Sequence, residues 1–314
     1  MTQIPLIDFA PFLTGGFYAQ QQVAQALFQA CQQVGFLYLQ HHGIPQRAID
    51  QTFEQSQTFF ALPLTEKQGL AWSSELSNRG YVGMQRERLD ETQPGDLKEA
   101  FNVGPEIVAM RAAANSVPMV NRWPRDRNTF QPVISEFFGL CELAVEPILQ
   151  AFAMALSMPK DYFVKRHQTH NFTLRLLHYP PLVMPPQSGQ LRAGVHSDYG
   201  TLTLLFQDQV GGLEVLSTQG QWIAAPAIPD TVLINTGDLL QRWSNDVFCS
   251  TKHRVSLPQA EKAEGDRYSI AFFCDPDADT EITCLPTCKH EVSPPNYPPV
   301  NAKEYLLSRL QATY

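Results

Sequence analysis

The first half of the chain is dominated by apolar residues at helical spacing. One series recurs every three or four positions and stops at Gly35, a residue type that often follows a helix. This series consists of Val23, Leu27, Cys31 and Val34. Further helices are predicted from about 46 to 62 and from about 130 to 158, because a proline follows each of these patterns.

From about residue 169 the pattern changes to short apolar runs separated by turn residues. The runs are 174–179, 201–206, 231–234 and 268–273. Regularly spaced short strands are typical of a sandwich, a jelly roll or a barrel. A last helix is predicted after Asn301, which is a suitable N-cap residue with Glu304 three positions later.

Charge and cysteine content narrow the expected partners and compartment. A formal net charge of -8 argues against nucleic acid or a membrane as the partner, because both require clustered Lys and Arg. The six cysteines are scattered, and the N-terminus has neither a basic region nor a long apolar region. We therefore expect reduced thiols, a cytoplasmic protein and a small-molecule partner.

The triplet 196–198 is the strongest chemical signal in the sequence. His196 and Asp198 point to the same face if the triplet lies on a strand, so an imidazole and a carboxylate converge. His253, in a second strand-like segment, is the best candidate for a third ligand. Two histidines and one carboxylate are typical of non-haem iron(II) oxygenases, since they leave adjacent metal positions open.

A second constellation follows His253 along the chain. Arg267 and Ser269 share one face of an apolar strand, so a guanidinium and a hydroxyl point together. Such a pair can bind a carboxylate through charge-assisted hydrogen bonds. A surface ion pair is the alternative interpretation for an isolated strand arginine.

Ordered segments along nearly the whole chain carry a family resemblance. In the second half they are 196–208, 210–215, 221–223, 235–238 and 250–255, and in the first third 4–9, 35–36, 42–45, 79–81 and 98–101. In these segments the sequence resembles the 2-oxoglutarate- and iron-dependent oxygenases, specifically the isopenicillin N synthase-like group. The resemblance implies a mainly β fold with flanking helices around a double-stranded β-helix, or jelly-roll, core.

The resemblance also implies a reaction and its cofactors. Fe(II) would be bound by His196, Asp198 and His253, and Arg267 with Ser269 would hold the distal carboxylate of 2-oxoglutarate. The expected enzyme is a dioxygenase that uses O2 to oxidise a small molecule, most simply by hydroxylation, and releases succinate and CO2. The alternative within the group is an oxidase that uses Fe(II) and O2 without 2-oxoglutarate.

One segment departs from the pattern of the group. Many relatives carry Asn-x-Tyr before a proline, where this chain has Leu177, His178 and Tyr179. Either His178 replaces the missing hydrogen-bond donor to the co-substrate, or the pocket differs. Arg175 resembles a family arginine near the iron and is a further candidate for contact with the co-substrate or the substrate.

The substrate pocket is predicted from family position alone. Phe101, Arg192, Phe206 and Phe273 are the candidate lining residues, and core packing is the alternative for each phenylalanine. His167 and His170 could form a second metal pair or could be polar residues at a helix-to-strand junction. A non-catalytic binding module and a hydrolase are the competing classes, but an intact ligand triad and the absence of a Gly-x-Ser-x-Gly motif disfavour them.

The chain is expected to fall into four segments. An N-terminal mixed α/β accessory region covers 1–120, and a long helical segment covers 121–168. The β-helix core with the iron site spans 169–280, and a strand and helix at 281–314 pack on that core.

Overall fold

The computed structural model describes residues 3–72, 78–90, 92–105, 120–125, 128–182, 184–258, 265–289 and 294–313. The helices are α1 (Ala10–Thr14), α2 (Phe17–Gln33), α3 (Gln46–Phe60), α4 (Leu64–Gly69), α5 (Phe130–Ala155), α6 (Asp238–Trp243) and α7 (Ala302–Thr313). Short 3-10 helices lie at Val164–Arg166 and Pro286–Cys288.

The strands alternate with these helices and dominate the second half of the chain. They are β1 (Leu6–Asp8), β2 (Phe36–Gln40), β3 (Gly80–Val82), β4 (Glu99–Val103), β5 (Phe172–Tyr179), β6 (Ala193–His196), β7 (Leu202–Gln207), β8 (Leu213–Leu216), β9 (Trp222–Ala224), β10 (Thr231–Thr236), β11 (His253–Val255), β12 (Arg267–Cys274), β13 (Glu281–Ile282) and β14 (Val300–Asn301).

The described strands form a large sheet and a small one, with β13 and β14 as a separate pair. The large sheet has the order β1-β2-β10-β7-β12-β5-β4-β3, and the small sheet has the order β6-β11-β8-β9. Pairing is antiparallel except between β1 and β2. The N-terminal accessory region therefore contributes strands to both edges of the core sheet, and its predicted boundary at 120 stays a prediction.

Alternation along the strands separates two apolar clusters. On β12, Ile270 and Phe272 pack with the helices, whereas Arg267 and Ser269 line a cavity on the opposite face. A smaller cluster lies on the cavity side of the large sheet and includes Ala193 and Val255 of the small sheet. The large sheet is thus covered by helices on one face and by the small sheet on the other, as the jelly-roll prediction requires.

Helix α5 is the main helix of the outer layer. Its length and composition alone would allow it to cross a membrane, but 56% of its most apolar window is buried inside the protein. Its buried residues belong to the large apolar cluster, and α2 and α3 pack beside it. We interpret α5 as the central core helix that supports the sheet.

The predicted helices and strands are found within a few residues of their expected limits. Gly35 ends α2 with φ +71°, and a Cβ atom there would lie 2.3 Å from the carbonyl oxygen of Cys249. At α7, the backbone N–H of Glu304 donates to Asn301 Oδ1 at 3.2 Å, so the predicted N-cap is confirmed. One expectation was wrong: β6 ends at His196, so Asp198 lies in the following loop and not on the strand.

We expect Phe152→Ala to lower the free energy of unfolding by about 3–5 kcal/mol, because it leaves a cavity in the fully buried core. Phe152 packs edge-on against Phe248 beneath α2, with ring centroids 6.1 Å apart. Leu143→Ala on the same helix is the matched control, since Leu143 is 74% exposed and its loss should change stability by about 0.5 kcal/mol or less. Urea denaturation measures both, and equal effects would contradict the placement of α5 in the core.

Candidate active site

Three side chains converge at the end of the small sheet. His196 and His253 face each other across the β6–β11 pair, and their ring centroids lie 4.2 Å apart. Asp198 Oδ1 is 3.9 Å from His196 Nε2 and 3.7 Å from His253 Nε2. Within the described residues this is the only group of three or more His, Cys, Asp or Glu side chains whose ligand atoms could share a metal ion.

Hydrogen bonds orient each of the three side chains. The Nδ1 atoms of His196 and His253 lie 2.8 Å and 3.1 Å from the carbonyl oxygens of Gly194 and Thr251, so each Nε2 faces the common centre. Asp198 Oδ2 accepts from Asn235 Nδ2 at 2.7 Å and from Thr203 Oγ1 at 2.5 Å. Contacts of this kind behind the ligands fix the tautomer and the direction of metal ligands.

Electrostatics favour the ligand forms of His196 and Asp198. Burial, together with the neighbouring His253, lowers the pKa of His196 to about 3. Burial alone would raise the pKa of Asp198, but His253 and His196, with hydrogen bonds from Asn235 and Thr203, lower it overall. A neutral imidazole and an ionised carboxylate are the states that bind a divalent metal, so binding would displace few protons.

The triad lines a cavity of about 500 Å³ between the two sheets. At one end the cavity is bounded by Arg267, Ser269 and the apolar side chains of both sheets. We name this the co-substrate end after the role that the family resemblance predicts for Arg267 and Ser269. At the other end lie Arg175, Phe273 and the last turns of α7, and we call this the substrate end.

Arg267 is nearly fully buried at the co-substrate end, with 1% of its surface exposed. Nε donates to the carbonyl oxygen of Gly211 at 2.6 Å and Nη2 donates to Gln207 Oε1 at 3.1 Å. Among the described residues, Nη1 reaches only Ser269 Oγ, at 3.5 Å. None of the described carboxylates forms an ion pair with Arg267, and its hydrogen-bond acceptors among the described residues are all neutral.

His178 does not face the cavity, and its predicted contact with the co-substrate was wrong. It lies on the helix-facing side of β5, 2.7 Å from Glu99 Oε1 and 2.6 Å from Asp266 Oδ1. Leu177 and Tyr179 flank it in sequence and therefore point into the cavity. Tyr179 lies beneath Arg267, whose guanidinium carbon is 4.6 Å from the ring centroid.

Arg192 lies outside the cavity lining, so its predicted place in the substrate pocket was also wrong. It is buried next to the co-substrate end, where Nη2 donates to the carbonyl oxygens of Pro180 and Gly265. Burial, together with the positive charge of Arg267, lowers the pKa of Arg192. Arg192 thus connects the segment that follows β5 with the segment that precedes β12, next to Arg267.

The face of the strand on which each predicted phenylalanine lies determines whether it lines the cavity. Phe206 pairs in register with Ile270 and faces the helices, and Phe101 opposite Leu176 does the same. Their predicted place in the pocket was therefore wrong. Phe273 lies on the face of β12 that carries Arg267, and it does line the cavity.

Arg175 also lines the cavity, but at the substrate end. It donates from Nε to Asn102 Oδ1 at 2.9 Å and forms an ion pair from Nη1 to Glu87 Oε1 at 2.8 Å. Lys98 bridges the other oxygen of Glu87 and Asp96 at 3.0 Å and 2.6 Å. Two positive and two negative side chains thus form one buried cluster beside the substrate end.

The last helix closes the substrate end. Leu306, Leu307 and Leu310 of α7 line the cavity. Thr313 fixes the end of the helix, since its Oγ1 lies 2.7 Å from Tyr199 Oη and its carbonyl oxygen accepts from the backbone of Arg88 at 3.0 Å. Sequence reasoning placed α7 on the core and did not assign it to the pocket.

Several further site residues were missed at the level of sequence. Thr203 and Asn235 stand behind Asp198, and strand alternation on β7 and β10 could have indicated their direction. Arg79 and Asp275 line the substrate end, and only the folded chain brings them to one cavity. Burial, reinforced by Asp198 and opposed by Arg79, raises the pKa of Asp275 to about 7.

His167 and His170 do not form a second metal pair. His167 is buried, with Nδ1 2.7 Å from the carbonyl oxygen of Phe163 and Nε2 2.9 Å from Thr201 Oγ1. His170 lies 2.8 Å from Glu142 Oε1. Both therefore form hydrogen bonds within the segment that connects α5 and β5 or from that segment to its neighbours.

Two family models match the chain. The model described as non-haem dioxygenase in morphine synthesis N-terminal matches residues 4–126. The model of the 2OG-Fe(II) oxygenase superfamily matches residues 170–276, which contain β5 to β12 and all three triad residues.

Individual proteins are similar over their full length. The chain is 31% identical to the 2-oxoglutarate-Fe(II) type oxidoreductase hxnY of Emericella nidulans, covering 100% of this chain and 91% of hxnY. It is 33% identical to the proline hydroxylase buaE of Petromyces alliaceus, covering 99% and 100%. A full-length Neurospora crassa protein, crystallised in complex with alpha-KG and thymine, superposes with a TM-score of 0.88 at 36% identity, covering 99% and 97%.

We expect Asn235→Ala to raise the metal dissociation constant about 10- to 100-fold, because Asp198 loses the hydrogen bond that directs it. Titration of the metal-free protein with Co(II) measures this constant. Asn171→Ala is the matched control, since Asn171 lines the same cavity but donates to the carbonyl oxygen of Pro276. An unchanged constant in Asn235→Ala would show that Asp198 needs no support from β10.

Proposed function

The chain belongs to the 2OG-Fe(II) oxygenase superfamily, and on that premise we propose which of its residues perform the reaction. It is an Fe(II)- and 2-oxoglutarate-dependent dioxygenase. His196, Asp198 and His253 bind the iron in our proposal, and Arg267 with Ser269 binds the distal carboxylate of 2-oxoglutarate. The reaction is the hydroxylation of a small molecule.

The donor set suits the metal. Two imidazole nitrogens and one carboxylate oxygen, converging from one side, are the ligand set of non-haem Fe(II) oxygenases. Iron supplies the activation of O2 and the oxidising power, which no side chain of the site could supply. The protein contributes an open set of metal positions and a cavity whose apolar walls limit the entry of water.

The buried Arg267 is the observation that carries the assignment of the co-substrate. Its guanidinium lies buried at the co-substrate end of the cavity with no carboxylate partner among the described residues. The bonds to Gly211 and Gln207 hold it in place, which leaves the edge with Nη1, beside Ser269, for a bidentate carboxylate. Bound in this way, 2-oxoglutarate would extend from Arg267 towards the triad.

Tyr179 takes the place that the sequence had suggested for His178. It is the polar residue of β5 at the co-substrate end, beneath Arg267. Leu177 replaces the amide that many relatives carry and leaves this part of the wall apolar. We propose that Tyr179 and the Arg267–Ser269 pair define the co-substrate pocket, while Arg175 serves the substrate end through its contact with Phe273.

The substrate is proposed to be a small polar molecule. The Neurospora crassa protein binds thymine in its crystal structure, and buaE is named a proline hydroxylase; thymine and proline are both compact ring compounds. A cavity of about 500 Å³, shared with the co-substrate, accommodates a molecule of that size. The oxidase alternative without 2-oxoglutarate is not favoured, because the relatives named above are 2-oxoglutarate-dependent proteins.

We propose a cytoplasmic location and no nucleic-acid or membrane partner. All six cysteines are free thiols, which fits a reducing compartment. The net charge of -8 disfavours phosphate backbones and anionic lipid surfaces.

We expect Arg267→Gln to raise the KM for 2-oxoglutarate about 10- to 100-fold, since a charge-assisted hydrogen bond contributes about 1.5–3 kcal/mol. Tyr268→Phe is the control, because Tyr268 lies on the opposite face of β12 and packs against His178. Steady-state kinetics of succinate release measure both variants. An unaffected KM in Arg267→Gln would remove this residue from the co-substrate site.

A screen of small metabolites with Fe(II), ascorbate and 2-oxoglutarate should find compounds that stimulate the release of succinate. We expect the stimulating compounds to gain one oxygen atom, which mass spectrometry measures. Thymine and L-proline belong in the first panel, and protein with Asp198→Ala is the control for uncatalysed decarboxylation. Turnover of a substrate in the absence of 2-oxoglutarate would contradict the proposed reaction.

A further inference from the structure

The charges at the substrate end do not all neutralise one another. The buried cluster that contains Arg175 is balanced, as described above. A bound metal ion would balance the charge of Asp198, and the distal carboxylate of the co-substrate would balance the charge of Arg267. Arg79 and Asp275 also line this end of the cavity, whereas Lys303 of α7 lines it from a position exposed to solvent.

Arg79 is buried without a carboxylate partner among the described residues. Only 4% of its surface is exposed. Its Nη1 donates to two neutral acceptors, the carbonyl oxygen of Asn78 at 3.1 Å and Thr173 Oγ1 at 3.3 Å. Its Nε is buried and has no hydrogen-bond partner among the residues that the structure describes. A guanidinium in this position lacks the negative or strongly accepting group that usually accompanies it.

Asp275 is the complementary group. It follows β12 directly and accepts no hydrogen bond from any residue in the described part of the chain. Arg79 and Asp275 influence each other electrostatically, yet no ion pair closes between them. A guanidinium and a carboxyl group that line one cavity without forming an ion pair leave a place for a ligand that contacts both.

Two glycines hold these groups in place. A Cβ atom on Gly104 would lie 1.9 Å from Arg79 Nη2, and a Cβ atom on Gly200 would lie 2.0 Å from Asp275 Oδ1. Real Cβ atoms essentially never approach so closely, so each charged group occupies the space that a side chain would otherwise fill. The missing side chains of Gly104 and Gly200 thus leave the space in which the guanidinium of Arg79 and the carboxyl group of Asp275 lie.

Resting on the proposed function, we propose that Arg79 and Asp275 determine substrate specificity by binding an N–H donor and an adjacent oxygen acceptor of the substrate. The N–H group donates to Asp275 and the oxygen accepts from Arg79. A neutral cyclic amide or imide and a cyclic amino acid both carry this pair. A dicarboxylic acid would place a negative charge against Asp275, and a hydrocarbon would leave both groups without partners.

The test measures binding to protein loaded with Zn(II) and 2-oxoglutarate, in which no oxidation occurs. Isothermal titration calorimetry with uracil and with L-pipecolate gives their dissociation constants. We expect at least one of them to bind the wild-type protein more tightly than its matched six-membered ring without an N–H group, which is 1,3-dimethyluracil for uracil and cyclohexanecarboxylate for L-pipecolate. Equal or tighter binding of the rings without N–H, or no binding of either N–H compound, overturns the proposal.

Substitutions that replace a charged side chain by a neutral amide distinguish an amino acid from a neutral imide as the preferred ligand. For an amino acid, Asp275→Asn and Arg79→Gln should each weaken binding about 10- to 100-fold, because each removes a charged partner. For a neutral imide, both should weaken binding only about 2- to 10-fold, since the amides still offer an acceptor and a donor. Gly104→Ala leaves every charge in place but displaces Arg79, so it should weaken binding as Arg79→Gln does.

The dissociation constant for 2-oxoglutarate separates failure of this proposal from failure of the proposed function. It should be unchanged in Arg79→Gln, Asp275→Asn and Gly104→Ala, because these residues lie at the substrate end. Unchanged affinity for the N–H compound in Arg79→Gln and Asp275→Asn overturns the proposal while the enzyme assignment stands. A wild-type protein that does not bind 2-oxoglutarate overturns both.

Discussion

The two-residue alternation of the β-strands is the constraint on which this structure depends. Each central strand of the large sheet must bury apolar side chains against helices on one face and present the active-site cavity on the other. On β12 the same eight residues supply Ile270 and Phe272 to the core and Arg267 and Ser269 to the site. A register shift of one residue would exchange the two sets and remove both core and site.

That constraint explains why so much could be predicted from sequence. Apolar runs ended by turn residues located the core strands, and the N-cap at Asn301 located α7. The triad followed from residue types whose chemistry has few alternative explanations, and the structure brings all three side chains together. Asp198 reaches the site from a loop and not from a strand, so the three side chains meet as expected although part of the geometric reasoning was wrong, and their role as iron ligands stays a prediction.

The rest depended on facts that sequence position alone does not contain. Phe206 and Phe101 each face the helices and not the cavity, and this follows from the register in which their strands pair with the neighbouring strands. That register is a property of the folded sheet. His178 looked like a replacement for a missing amide, but its neighbours in sequence face the cavity and it does not. Arg79 and Asp275 are 196 residues apart, and no local pattern links them.

The wall formed by α7 differs in kind from the other walls of the cavity. The sheets are held by continuous ladders of backbone hydrogen bonds, whereas α7 meets the cavity through leucine side chains and is fastened at its last turn by Thr313. The last turn of a helix unfolds locally at a small fraction of the global unfolding free energy. Separation of α7 from the cavity would therefore break leucine contacts and the hydrogen bonds of Thr313, whereas separation of a strand would break a backbone ladder.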